Sequence, residues 1–469
     1  MSNEIHSNYG QTFLLPPSID DWVPKGHPAR FIRAFVDSLD LGGLGFKVRT
    51  SDEGRPNYAS ELLLKVVLYG YYEEVRSSRR LELACLNNVG FIWLTGMKYP
   101  DHNTIWRFIS ENECGIKRVF RESARLALQM GLVGLVLQAL DGTKIAADVS
   151  NEVFLNRGHF ERALARLDSA SDEIFAEYKR NEIAESGLEY RLPEELCDGD
   201  ALRDSIRENL SLLDKAQTDN LSLTDTDARK MLGRNDSVAF SYNAQAVVDD
   251  KARVIVAADV VNDENDRRQL VRMIDETVDN LGEAAQETVA DAGYYSSEQL
   301  AKAEEAGYNV LVDLPDDSSV KFGYIDEAFD KSKFVYDEET DTYTCPEGHR
   351  LTFETYLKHK NGYKGKSYRC TNYKNCPSRF KCSKSSRGRK LSRPLHEPAI
   401  AHQRGKQLIE ENRQKLKRRK TIVEPVFGII KQIMKFRRWT VRGLSNVRTQ
   451  WSIICTVYNL KKLQAAWAK

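Results

Sequence analysis

Residues 131–145, GLVGLVLQALDGTKI, decide the fold class of this chain. The apolar run from Gly134 to Leu140 is too short for a core helix, is rich in Leu and Val, and ends on a carboxylate, Asp141, followed by Gly142. Such a run predicts a buried strand with a charged group at its edge. Upstream of it the pattern is helical. Tyr58 to Arg76 carries Leu62, Leu63, Val66, Val67 and Tyr69 at helical spacing, Ser78 can cap a following helix, and Asp101 or Asn103 can cap Thr104 to Glu111. Downstream the pattern is α/β: strands at Phe240–Val248, Val254–Val260, Glu287–Ala290 and Tyr308–Val312, and helices at Arg267–Leu281 and Ser297–Ala306. The order predicts a mixed sheet with helices packed on it.

Two further carboxylates share the setting of Asp141. Asp291 ends the run Glu287 to Ala290 in ETVADAGYYSSEQ, and Glu424 stands before a short apolar helix in RRKTIVEPVFGIIKQ. Three carboxylates from distant parts of a chain suit a metal-dependent phosphoryl-transfer site. Proline disfavours helix at the residue before it, so Pro425 predicts that Glu424 sits at a helix start or kink. Val426, Ile429, Ile430 and Ile433 then face the sheet, with Lys431 turned to the site or to DNA.

The 469 residues allow roughly three domains. No apolar stretch reaches the roughly 18 residues of a membrane span, and the polar N-terminus has no secretory apolar region, so a soluble, cytoplasmic protein is expected. Net charge is only +1, but its distribution is uneven. Gln403 to Arg448 holds 14 Lys or Arg against Glu410, Glu411 and Glu424, whereas Asp148 to Asp236 leans acidic. Basic charge beside carboxylates suits a polyanion; Arg418, Arg419, Lys420, Lys431, Arg437 and Arg438 are the candidate DNA contacts. Short helices with brief connections before residue 130 are compatible with a helix-turn-helix reader, with Arg76 to Arg80 and Thr104 to Phe108 facing a groove.

Eight cysteines do not form a secreted disulfide framework in a chain of this size. Four of them, Cys345, Cys370, Cys376 and Cys382, lie close together with His349 in CPEGH. Four thiolates are enough for a tetrahedral structural Zn2+, and His349 can replace one; reduced, unliganded cysteines are the alternative. Cys85, Cys114, Cys197 and Cys455 read as buried or incidental, and His102 as a turn residue.

The segments ELLLKVVLYGYYEEVRSSRRLELACLNNVGFIWLTGMKYPDHNTIWRF, LDGTKIAADVSN, FSYNAQAVVDD, VADAGYYSSEQL and TIVEPVFGIIK, in this order, resemble the DDE transposases of bacterial insertion sequences, in the IS1182-like group of the IS4/IS5-like assemblage. The resemblance covers nearly the whole chain. It implies an RNase H-like core with the first Asp on the first strand, the second at the end of the fourth and the Glu on a late helix, roles that transfer to Asp141, Asp291 and Glu424. Lys431 matches the family's lysine seven residues after the Glu, but Lys420 and Lys417 stand where the family has Arg and Tyr. Lys keeps the charge without the bidentate fork.

The implied activity is two-metal cleavage at element ends with Mg2+ or Mn2+, then joining of the 3′-OH ends to target DNA by a homo-oligomer assembled on DNA. Carboxylates alone fit equally a nuclease that does not join, and a domesticated DNA-binding protein is the remaining alternative. The expected domains are a helical DNA-binding part at 1–130, a core at 131–150, 233–315 and 401–469, a charged helical insertion at 151–232, and a Cys-containing insertion at 316–400.

Overall fold

The computed structural model describes residues 18–47, 57–151, 154–169, 199–233, 237–314, 325–358 and 364–467. Cys197 and residues 170–198 of the charged helical insertion expected at 151–232 lie outside them.

The N-terminal part is helical, as expected: Pro28–Asp37, Ser60–Tyr72, Ser78–Asn87, Val89–Thr95, His102–Glu111 and Glu113–Gln129. Asp101 caps its helix by accepting from Thr104 N at 2.9 Å, while Ser78 is the first helical residue and makes no side-chain cap. Ser60–Tyr72 buries Leu63, Leu64 and every residue from Val66 to Tyr71. A helix apolar almost all round needs partners on all sides. One of them is the C-terminal helix Leu444–Trp467, reached through Gln450 Nε2 to Tyr71 OH (2.8 Å) and Tyr72 OH to Gln464 Oε1 (2.7 Å).

The strands are, in chain order, β1 (Leu137–Ala146), β2 (Leu155–Asn156), β3 (Asn220–Leu221), β4 (Arg229–Leu232), β5 (Val238–Asp249), β6 (Ile255–Val261), β7 (Glu287–Ala290) and β8 (Val310–Val312). Six of them form a mixed sheet. Its order is β4-β5-β1-β7-β8, with β6 also paired to β5. β1 is antiparallel to β5 and parallel to β7, which is parallel to β8. Asp141 is therefore inside a strand, opposite Ala246, and the Asp141–Gly142 step is not a turn. β1 runs past its apolar part because the antiparallel partner continues to Ser241 and supplies hydrogen bonds for Thr143 to Ala146. β6 is wholly buried, and the side-chain amide of Asn459 pairs with both the N–H (3.0 Å) and the C=O (2.9 Å) of Ile255 at its start.

Two helices, Arg157–Ser169 and Gly199–Lys215, meet through Ala163, Leu202 and Ile206. A second, antiparallel sheet holds β9 (Val335–Asp337), β10 (Thr342–Thr344), β11 (Arg350–Lys358), β12 (Lys364–Cys370) and β13 (Lys390–Pro394). It has its own small core of Phe329, Phe334, Tyr343, Leu351, Tyr368, Cys370 and Leu391.

The late basic helix spans Glu410–Gly428 with Pro425 inside it, followed by a π-helical turn at Ile429–Ile433. Glu424 is thus within a helix rather than at its start. Proline removes one N–H, and the carbonyl four residues earlier would be left without its helical donor. Here Arg253 Nε donates to that carbonyl, Thr421 O, at 3.2 Å. The π turn also changes which residues face inward: Val426 and Ile430 are buried as expected, but Ile433 is 65% exposed and Met434 takes the inner position.

Candidate active site

Asp141 and Asp291 come together at the end of the parallel pair β1 and β7. Asp141 Oδ1 accepts from its neighbour Gly142 N at 2.8 Å. Asp291 follows β7 directly and accepts from Gly293 N at 2.9 Å, which opens a short 3-10 turn, Ala292–Tyr294. Between the two carboxylates lies one cation. Arg419, on the basic helix and only 7% exposed, places Nη1 at 3.0 Å from Asp141 Oδ2 and Nη2 at 3.8 Å from Asp291 Oδ2. Its place follows from helical phase: Arg419, Ile422, Val423, Val426 and Ile430 form one buried face turned to the sheet.

Burial pushes the Asp141 carboxyl up to about 6; Arg419 opposes this and the Asp291 charge adds to it. Desolvation wins over the ion pair although the guanidinium is in contact. Two carboxylates share the one guanidinium, so the pair keeps a net negative charge when both are ionised.

Glu424 stands five residues beyond Arg419 and is exposed, with no hydrogen bond or ion pair to another described residue. Lys431, two turns further along, donates from Nζ to Thr143 Oγ1 at 2.6 Å and Lys144 O at 3.3 Å, fastening the helix to β1. As placed, no three His, Cys, Asp or Glu side chains among the described residues stand close enough to hold a metal ion.

The other basic candidates divide. Arg438 donates to Ala147 O and Val149 O at 3.1 and 2.8 Å, Arg437 to Lys431 O at 3.1 Å, and Arg418 pairs with Asp250. Among the described residues Lys420 is exposed and without a partner. In the N-terminal part Arg76 donates to Met434 O and Lys435 O and so ties two segments together, whereas Arg79 and Arg80 are exposed. His102 bonds Glu82 at 2.7 Å.

The residue that sequence reasoning missed is Asp266, in the turn between β6 and the helix Leu270–Leu281. Its Oδ1 accepts from Asn243 Nδ2 at 2.7 Å and Gln245 Nε2 at 2.6 Å, and Tyr294 OH bonds Gln245 in turn. The available signal was in SYNAQ: two amides two residues apart, on one face of an otherwise apolar strand, need a polar partner.

Cys345, Cys370, Cys376 and Cys382 line one small pocket of the second sheet together with His349 and Arg389. Cys345 Sγ accepts from His349 N at 3.2 Å. Burial pushes the Cys382 thiol up to about 11 and raises that of Cys370. Cys85 and Cys455 are buried and Cys114 is exposed. No described helix is long and apolar enough to cross a membrane.

No curated protein matches the chain. Two family models do. Residues 17–111 match the transposase domain DUF772 and residues 344–464 the transposase DDE domain, which takes in β11 to β13 of the second sheet, Arg419, Glu424 and Lys431 but neither aspartate. With a transposase domain matched toward each end, in chain order, the chain is similar to transposases of the DDE kind, in keeping with the IS1182-like resemblance of its motifs.

Proposed function

We propose that the protein cleaves phosphodiester bonds at the ends of an insertion sequence and joins the resulting 3′-OH ends to target DNA, using Asp141, Asp291 and Glu424 on an RNase H-like core. The observation that carries this is the buried cation already seated between Asp141 and Asp291, the guanidinium of Arg419. A paired site of hard oxygen donors, undersupplied with positive charge, suits Mg2+ or Mn2+. Asp141, Asp291 and Glu424 would hold such ions, which when bound would supply activation of an attacking water and stabilisation of the leaving oxygen. The strand order, with β1 central, antiparallel to β5 on one side and parallel to β7 on the other, supports the RNase H-like reading.

The chain's own contributions are orientation and charge. The amides of Gly142 and Gly293 fix one oxygen of each aspartate and leave the other directed at the shared cation. Glu424 lies on the same helix as Arg419, so a small rotation of that helix changes both groups together. Lys420 and the exposed part of the run Arg413 to Lys420 offer phosphate contacts beside it. Asp141→Asn, Asp291→Asn and Glu424→Gln are each expected to abolish cleavage and joining of a matched element end with Mg2+, while gel-shift binding persists. Full activity of Glu424→Gln overturns its assignment; cleavage without joined products on a target plasmid makes the protein a nuclease instead.

The second sheet is proposed to hold one structural Zn2+ on Cys345, Cys370, Cys376 and Cys382. Support comes from four thiols around one pocket in a small sheet with a core of its own, the kind of module that metal stabilises. Metal analysis of purified protein is expected to give about one zinc per chain; none, with Cys370→Ser equally stable, overturns this.

A further inference from the structure

Asp266 sits where two glycines make room for it. A Cβ on Gly142, the residue after Asp141, would lie 2.9 Å from Asp266 Oδ1; a Cβ on Gly293, two residues after Asp291, would lie 3.5 Å from Asp266 Oδ2 and 2.9 Å from Asp291 Oδ1. Neither glycine has positive φ, so their backbone does not require glycine. What they provide is space, on the two segments that carry the paired aspartates. Asp266 thus fits between the neighbours of Asp141 and Asp291, one oxygen against each.

We propose that Asp266 is a further cation-binding carboxylate of this site, a third aspartate acting with Asp141 and Asp291. The proposal rests on the reading that those two hold divalent cations.

Two observations support it. First, Oδ1 is fixed by two amides, Asn243 and Gln245, and Gln245 is held by Tyr294, so the carboxylate cannot turn away, while none of these donors reaches Oδ2. One oxygen locked and the other left toward Asp291 is how a ligand is oriented by its supporting shell. Secondly, hydrogen bonding alone does not call for a charge. An asparagine would accept from the same two amides, and burying a carboxylate beside another carboxylate is costly unless a cation comes in.

The test is calorimetric titration of the full-length, chelator-washed protein with Mn2+, for the unsubstituted chain, Asp141→Asn and Asp266→Asn, each also melted in EDTA. Mn2+ binding is expected in the unsubstituted chain and lost in Asp141→Asn. In Asp266→Asn it should weaken on the order of ten- to a hundredfold, with a metal-free melting temperature equal to or above that of the unsubstituted protein. A structural role would not give that combination. Unchanged Mn2+ affinity in Asp266→Asn, with binding lost in Asp141→Asn, overturns the proposal and leaves the paired-aspartate site standing. Weaker binding together with a lower metal-free melting temperature assigns Asp266 to folding and also overturns it. No binding by the unsubstituted chain, or binding undiminished in Asp141→Asn, removes the site itself and this proposal with it.

Discussion

At the scale of single residues, the site is governed by a contest between desolvation and one guanidinium. The Asp141 carboxyl titrates at about 6 when folded and in the ordinary range near 4 when unfolded. Between those values the folded state holds the proton more tightly, so Asp141 stabilises the fold below about pH 4 and that contribution is lost as pH rises to about 6. The loss amounts to about 3 kcal/mol for a shift of this size. Urea unfolding in EDTA at pH 4 to 7 is expected to show Asp141→Asn gaining on the unsubstituted protein across that window. A parallel pair of curves would mean that Asp141 is not desolvated. Arg419→Met makes the opposite change: it leaves two facing carboxylates without a counter-ion and should cost about 3–5 kcal/mol in EDTA at pH 7, much of it restored by Mg2+. A loss that Mg2+ does not restore would make Arg419 a packing residue only. The two aspartates were legible in the sequence because each ends an apolar run. Arg419 was visible only as one member of a basic tract, since its role depends on which helix face meets the sheet. Asp266 shares the stretch NDENDRR with two other acids, and only the fold singles it out.

At the scale of elements, the helix Glu410–Gly428 contains a proline, Pro425, in its last turn. Local rules predicted a helix start or kink at Glu424. A tertiary contact overrides them: Arg253, at φ 56 in the turn between β5 and β6, serves the carbonyl that Pro425 leaves without its helical donor. Pro425→Ala restores the helical N–H and should raise stability by up to about 3 kcal/mol in thermal melts. The π turn that follows carries Lys431 onto β1, so Lys431→Ala is expected to reduce stability, while Lys420→Ala should weaken DNA binding across sequences and lower its salt slope by about one unit. Salt titrations of binding that show the slope falling for Lys431 and not for Lys420 would reverse these assignments. Strand positions were read well where apolar runs were long, as at β7, which matches residue for residue. The polar half of β1 was missed, because Thr143 to Ala146 are held by pairing with β5 rather than by any preference of their own.

At the scale of the whole molecule, the helices before residue 130 and the sheet do not have separate interiors. One hydrophobic cluster runs from Val23 through Leu64 and Tyr71 to Trp451 and Leu463, whereas the second sheet keeps a cluster to itself. The expected boundary at residue 130 is therefore a change of secondary structure without a break in packing. A fragment 1–130 would expose the face of Ser60–Tyr72 that Leu444–Trp467 covers and would lose the Gln450–Tyr71 and Gln464–Tyr72 bonds. It should not unfold cooperatively, so any recognition of element ends by these helices has to be measured in the full chain. Full-length protein is expected to show two calorimetric transitions, since cooperativity follows shared burial. The larger one joins the N-terminal helices to the sheet, and the smaller belongs to the second sheet. A chelator should lower only the smaller if zinc holds the four cysteines, because binding to the folded form alone stabilises the unit that binds. A cooperative melt of the isolated fragment, or a chelator effect on the larger transition, would show that the packing boundaries lie elsewhere.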